Sequence, residues 1–353
     1  MRTAESKKAH PAAPVLFWHY DQYPLPPRNG APHPYPRQRF SLVREALLGQ
    51  GHLPAAWLHP ARPVEWEVLE RVHTPAYVQA VREEKLTDRE IREIGLPFSS
   101  ALVDRSRAAV GATVQAALMV REARRGQRGG WLAAGVIGGG THHASAHKGA
   151  GYCLFNDIAV AIQTLRLEAP GADNGGPPAP RVMIIDLDVH QGNGNAEIFS
   201  NDRSVFTLSA HGEKNWPYRK AVSDLDLPLP DGLDDEGYLA GVMPALEKAL
   251  AAFGPELVFY QAGVDALASD RLGRLNLSHT GLHQRDRAVF ALCQKAGADV
   301  VLTMGGGYGR PIEESVQAHL NTVEALLAAA ARQQPSAGAE PARTLAGSAS
   351  GAG

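Results

Sequence analysis

Cysteine is nearly absent: of 353 residues only Cys153 and Cys293 are cysteines, and they form no CxxC pair. That excludes a disulfide framework and a thiolate metal site, and both thiols are expected in the core, where small apolar cysteine is commonly buried. No apolar run is long enough to span a bilayer. The first residues, MRTAESKKAHPAAP, carry no hydrophobic signal region. A soluble cytoplasmic protein with no membrane partner is expected. Charge of one sign is lacking too: 35 basic against 37 acidic side chains leave a formal net charge of -2. A global positive field for nucleic acid is therefore missing, and no nucleic-acid partner is expected. The chain also lacks a G-x-S-x-G elbow and a Walker-type G-K-[ST], which sets aside serine hydrolysis and nucleotide chemistry.

What is present is ordinary globular material, 44% hydrophobic and 20% charged. Three apolar runs, Arg181–Asp188, Glu256–Gly263 and Asp299–Gly306, read as buried strands. Trp131–Gly139 and Ser204–Ser209 are weaker strand candidates. Between them, apolar residues at three- and four-residue spacing predict helices near 101–125, 156–168, 235–253, 279–297 and 311–333. Such alternation implies an α/β chain whose parallel sheet is covered on both faces. Residues 169–180 read as a turn-forming surface loop, and 334–353 lack a hydrophobic pattern and are expected to be disordered.

Each strand ends in a polar or glycine-rich cluster: Gly138–His143, Asp186–Asn193, Ser209–His211, Gln261–Asp265 and Gly305–Tyr308. Open parallel sheets place ligands beyond the carboxyl ends of their strands, so these clusters converge on one edge. Asp188, His190 and Asp265 can form a three-ligand metal site, which leaves a coordination position for water or substrate as catalytic zinc does. Two oxygens and one imidazole also suit Fe2+ or Co2+. An isolated Asp-x-His more often caps a loop, but Asp186 and Asn193 nearby favour a shared site, because burying so many polar groups unpaired is costly. His142 and His143 suit proton transfer at near-neutral pKa. Gly305, Gly306 and Gly307 let substrate lie against the backbone, and the Tyr308 hydroxyl can stabilise an oxyanion.

The motifs GGGTHHA, GYCLFNDIAVA, DLDVHQGNG, QAGVDALASD and MGGGYGRPIEESV occur in that order. Together they resemble the histone-deacetylase-like family, and VHTPAYVQAV resembles that family's helix near the entrance. The resemblance covers about residues 15–333, which predicts one catalytic domain between a flexible segment 1–14 and the tail 334–353. It implies a single three-layer α/β/α domain with a mostly parallel sheet, the arginase/deacetylase fold. Gln191, Asn193 and the segment EIGLPFSSALVDRSRAAVGATVQAA are most similar to the class IV branch and its bacterial relatives, which brings long-chain acyl groups into consideration.

The resemblance implies a zinc-dependent amidohydrolase that removes an acetyl or longer acyl group from lysine or a similar amine, an acetylated polyamine included. It implies zinc on Asp188, His190 and Asp265, with His143 as general base and acid and His142 as its electrostatic partner. Asp186 would orient His142, and Tyr308 would polarise the acyl carbonyl. Gly151 would offer its carbonyl to the substrate N–H, Tyr152 would wall the tunnel, and Gly306 would line it. Potassium would bind through Asp186, Ser209 and Ala210. Asn193 departs from the Asp of class I members and leaves His143 a neutral partner. That gives a foothold to a different reading, a metal-bearing reader that binds acylated amines without turnover. An arginase-like ureohydrolase would need more carboxylates for a second metal than Asp265 and Asp270 supply.

Overall fold

The computed structural model describes residues 15–25, 35–126, 130–167 and 180–332. The expected end segments 1–14 and 334–353, and the predicted loop 169–180 apart from its last residue, lie outside the described residues. Eight strands are described: β1 (Leu16–His19), β2 (Leu58–Pro60), β3 (Ala133–Ile137), β4 (Val182–Asp186), β5 (Val205–Gly212), β6 (Leu225–Leu229), β7 (Leu257–Gln261) and β8 (Asp299–Thr303). They form one sheet in the order β2-β1-β3-β8-β7-β4-β5-β6, and every neighbouring pair is parallel.

All residues of β3, β4, β7 and β8 are buried. This is the pattern of strands covered on both faces, and it explains why they read as continuous apolar runs. The helices are α1 (Arg39–Gly49), α2 (Trp66–Leu69), α3 (Pro75–Arg82), α4 (Asp88–Ile94), α5 (Ser100–Gly126), α6 (Asp157–Leu167), α7 (Asn193–Phe199), α8 (Asp235–Phe253), α9 (His279–Ala296) and α10 (Ile312–Ala331). One set is α5 packed on α6; the other is α8 on α9, α9 on α10 and α10 on α1. The result is a single three-layer α/β/α domain, with a sheet wholly rather than mostly parallel. No helix among the described residues is long and apolar enough to cross a membrane.

Four of the five expected strands are shorter than their apolar runs, while β5 continues past Ser209 to Gly212. Leu187 and Asp188 fall beyond β4, and Trp131 and Leu132 precede β3. The expected 235–253 helix is α8, which begins after the Asp234 N-cap, whose side chain accepts the Gly237 N–H at 3.0 Å, and ends at a left-handed Gly254. The sheet order places β3, β8, β7, β4 and β5 side by side. The five polar clusters therefore emerge from five consecutive strands.

One buried histidine ties the site-bearing loops to α3. His73, between α2 and α3, has its Nδ1 3.0 Å from the Ser145 carbonyl, and its Nε2 accepts the Asn156 N–H at 3.0 Å. Both ring nitrogens are thus used by the neutral form, and burial lowers the pKa to about 4. Below pH about 6.5 the unfolded chain takes up a proton that the folded protein refuses until about 4. His73 is therefore expected to remove about 2 kcal/mol of stability at pH 5 relative to neutral pH. Urea unfolding at several pH values tests this: His73→Gln should lower stability at pH near 7 yet lose less on acidification than the natural chain.

Candidate active site

β3 runs out at Ile137 into Gly138-Gly139-Gly140-Thr141, and Asp157 at the start of α6 holds this turn. Its carboxylate accepts from the Gly140 N–H at 2.8 Å, the Thr141 N–H at 2.7 Å, the Thr141 hydroxyl at 2.7 Å and the Thr113 hydroxyl at 2.6 Å. Four bonds to one buried carboxylate set where the next two residues point. Those residues are His142 and His143, both buried, with ring centroids 4.0 Å apart. Their loop is also tied to the start of α7: the His142 carbonyl accepts from Gly194 N–H at 2.9 Å and Asn195 N–H at 3.3 Å.

The two histidines have different partners. His142 Nδ1 lies 2.6 Å from Asp186 Oδ2, and His143 Nδ1 lies 2.8 Å from Asn193 Oδ1. Burial alone would depress His142, but the carboxylates of Asp186 and Asp188 outweigh it and raise its pKa to about 9. Burial lowers His143 well below the ordinary range, and the positive charges of His142 and His190 add to the effect, outweighing the opposing pull of the Asp188 carboxylate and the Asn193 amide. One ring is thus held charged and the other neutral.

The metal candidates come from the loops after β4 and β7. His190 Nδ1 lies 3.1 Å from Asp188 Oδ1 and 3.0 Å from Asp265 Oδ2. The three ligating atoms all lie within 4.8 Å of one another, and all three residues are buried. The remaining oxygens are engaged by backbone: Asp265 Oδ1 accepts the Val189 N–H at 2.8 Å, and Asp188 Oδ2 accepts the Gly306 N–H at 2.7 Å. Burial and the Asp188 charge push Asp265 up to about 7. Two carboxylates withdrawn from water repel each other, and a divalent cation between them removes that penalty. Gly306 keeps the cradle open, since a Cβ there would sit 2.0 Å from Asp265 Oδ2. Two oxygens and one imidazole, with a side left for water or substrate, fit a divalent transition ion in a reactive site.

Tyr308 follows β8, and its backbone N–H donates to Asp270 Oδ2 at 2.5 Å. Its ring lies 5.9 Å from that of Tyr152 and 6.4 Å from that of His190. Burial raises the hydroxyl well above its usual pKa, against the pull of Arg39, so it remains an O–H donor. Gly151 adopts φ 53°, and a Cβ there would meet His143 Cδ2 at 2.5 Å and Trp216 at 2.6 Å. Gly151, Tyr152, Trp216 and Tyr308 border the passage from an outer cavity of about 1220 Å³, and His143 and His190 also line that cavity. A second cavity, about 50 Å³, lies against Asp188, His190, Tyr308, Arg39, Phe40 and Tyr20.

The structure thus brings together His142, His143, Asp186, Asp188, His190, Asp265, Gly151, Tyr152, Gly306 and Tyr308. Asp186 and Ser209 are register partners across β4 and β5, with Ala210 next along β5. His147 and His211, which border the sequence motifs, line neither cavity. His211 is buried with Nδ1 3.0 Å from the Ser209 hydroxyl. Four further residues carry the geometry without having been assigned a role from the sequence. Asp157 clamps the glycine turn, and Trp216 meets His143 edge-on at 4.6 Å. Gln261, noticed only as part of its strand-end cluster, donates to the Gly140 carbonyl at 2.9 Å. Buried Arg39 donates to the carbonyls of Gly305, at 2.7 Å, and Gly307.

Comparison with known proteins places this geometry among relatives. Residues 33–323 match the histone deacetylase domain. An uncharacterized protein of Picosynechococcus sp. is 42% identical over 287 residues, which cover 81% of this chain and 90% of that one. Histone deacetylase 2 of Arabidopsis thaliana is 32% identical over 302 residues, covering 81% of this chain and 73% of that one. Among solved structures, an HDAC homologue from Aquifex aeolicus superposes with a TM-score of 0.72 at 26% identity, covering 91% of this chain and 85% of that one.

Two outcomes follow from the site itself. The purified protein should bind one equivalent of Zn2+ or Co2+, and Asp188→Ala or Asp265→Ala should abolish it, as measured by elemental analysis after desalting. Asp157→Asn turns one carboxylate oxygen, which accepts a backbone N–H and a hydroxyl, into an amide NH2 that faces that N–H. It should cost about 2 to 4 kcal/mol in urea unfolding, the loss expected for a buried charged acceptor.

Proposed function

The chain belongs to the histone deacetylase family, and on that basis we propose that it is a zinc-dependent deacylase, cleaving the amide of an acylated lysine or similar amine. The observation that carries the proposal is the convergence of the His142–Asp186 and His143–Asn193 pairs, the Asp188–His190–Asp265 triad and the Tyr308 side chain on one narrow passage.

Zinc held by Asp188, His190 and Asp265 would supply Lewis acidity, drawing electron density from a carbonyl and lowering the pKa of water toward about 7. The chain's own groups do the rest. Gly151 and Tyr152 confine the extended stem that carries the amide, and the Gly151 carbonyl would accept the substrate N–H. Tyr308 stays protonated and would donate to the acyl oxygen as negative charge develops there. His143 is held neutral, with Nδ1–H directed at Asn193, which leaves the Nε2 lone pair to accept a proton from the attacking water. The water oxygen bonds to the acyl carbon, the C–N bond breaks, and the proton on His143 passes to the leaving nitrogen. His142 remains charged beside Asp186 throughout. Asp186, Ser209 and Ala210 would hold a structural potassium ion. The small size of the inner cavity, about 50 Å³ among the described residues, supports a short acyl group over a long chain.

Release of free lysine side chains from acetyl- and myristoyl-lysine peptides tests the proposal. The acetyl peptide should be preferred, chelator should abolish turnover, and added Zn2+ or Co2+ should restore it. Tyr308→Phe should lower kcat by about 100-fold or more, and His143→Ala by about 100- to 10,000-fold, with far-UV circular dichroism unchanged. Tight peptide binding with no turnover under any metal would instead favour a reader of acylated amines.

A further inference from the structure

The formal charge of the chain is slightly negative, yet the outer cavity that leads to the passage is cationic. Its lining includes five exposed cations, Arg92, Lys214, Arg219, Arg271 and Arg274, and the half-buried Lys148 and Lys220. The anions in that lining are Glu93 and Glu197. Four separate stretches of chain supply these charges: α4, the loop after His143, the segment following β5, and the segment following β7.

Neighbouring groups neutralise part of this field. Lys148 lies 3.4 Å from Glu93, while Lys214 and Arg274 lie 3.9 Å and 3.2 Å from Asp231. Lys220 donates to the carbonyls of Asn215 at 2.5 Å and Pro217 at 2.7 Å rather than to a carboxylate. Arg92 and Arg219 have no carboxylate within ion-pair distance among the described residues. The remaining field is therefore positive, and it acts in a concave space where screening by solvent is weaker than on a flat surface.

The same mouth carries two large apolar side chains in water: Tyr218 and Val222 are each 82% exposed. Neither packs into the domain, and both line the cavity beside Trp216 and Arg219. Exposed apolar groups rimmed by charge are characteristic of a surface that a second chain covers. The cavity volume, about 1220 Å³, also exceeds the roughly 300–1,000 Å³ that a small ligand fills.

We infer that the outer cavity selects acyl-lysines carried on a peptide chain whose neighbouring residues are acidic, and that it discriminates against basic peptides and cationic polyamines. This rests on the deacylase reading for the chemistry at the amide, but the charge assignment concerns the carrier alone. Carboxylates on either side of the lysine would meet the Arg92 and Arg219 guanidiniums in the lining, and the intervening chain would lie on Tyr218 and Val222. A polyamine brings only positive charge into a positive cavity.

The test uses three acetyl-lysine peptides identical except for Glu, Gln or Lys at the two positions on each side. The zinc-loaded enzyme should show kcat/KM at least about fivefold higher for the Glu peptide than for the Gln peptide, as expected from a few partly exposed pairs. The Lys peptide should be the poorest. About 0.5 M salt should collapse the order. The double variant Arg92→Glu/Arg219→Glu should reverse it, and Arg92→Gln/Arg219→Gln should bring the Glu-to-Gln ratio close to one. The same three peptides, fluorescently labelled, are also titrated by anisotropy against zinc-loaded Tyr308→Phe, in which turnover is slow. Equal or reversed affinity and kcat/KM would overturn the inference while leaving deacylation standing. Tighter binding of the Glu peptide with no turnover of any peptide would overturn deacylation and leave the carrier assignment standing.

Discussion

Three carboxylates withdrawn from water at one edge of the sheet, on Asp186, Asp188 and Asp265, are the constraint around which the molecule is organised. Such groups are tolerated in a protein interior only when each oxygen meets a donor or a cation. The structure meets this demand mainly with backbone. Asp188 accepts from the N–H groups of His190 and Gly306, and Asp265 accepts from Val189. Asp186 accepts from Asp188 N–H and from His142. Backbone donors can be aimed this way only where the chain leaves a regular ladder. That is why Asp186 is the last residue of its strand and Asp188 and Asp265 lie just past the strand ends. Asp188 Oδ1 and Asp265 Oδ2 also face the His190 ring.

The parallel arrangement makes this convergence affordable in conformational terms. Five adjacent strands all end on the same edge, so loops far apart in sequence meet there. Asp157 and Gln261 then lock the loops together through the Gly140 peptide, one accepting its N–H and the other donating to its carbonyl. Arg39 does the same from behind, reaching the carbonyls of Gly305 and Gly307. The reactive edge is therefore a set of loops cross-braced by buried polar side chains, and its geometry does not depend on any single turn.

Much of this was legible in the amino-acid order. Central strands covered on both faces stand out as apolar runs, and each such run here stops abruptly in glycine and polar residues. Strand positions and strand-end clusters were both visible for that reason. Helices α5, α6, α8, α9 and α10 declared themselves by apolar spacing. The outer strands did not: β1, β2 and β6 have three to five residues, and Pro60 and Pro228 interrupt the β pattern in the last two. The short α4 and α7 were also missed, as too little periodicity accumulates in seven residues, and so was α1. Among site residues, Asp157 read as an ordinary helix start, and Trp216 sits in a loop with no periodicity at all. What each does depends on partners 16 to 73 positions away, and no local pattern encodes such a distance.

The passage at Gly151 has an evolutionary consequence. Its wall there is bare backbone, with His143 on one side and Trp216 on the other, and any side chain would collide with both. Adaptation to new substrates cannot proceed by trimming or enlarging a residue at that point, because glycine is already the smallest choice and every alternative closes the route. Variation must instead accumulate in the loops outside, around residues 214–222 and 271–274. There, exchange of one surface side chain for another leaves the strand-end chemistry untouched. Homologues descended from one ancestor could in this way share an unaltered reaction centre while diverging in the company it keeps.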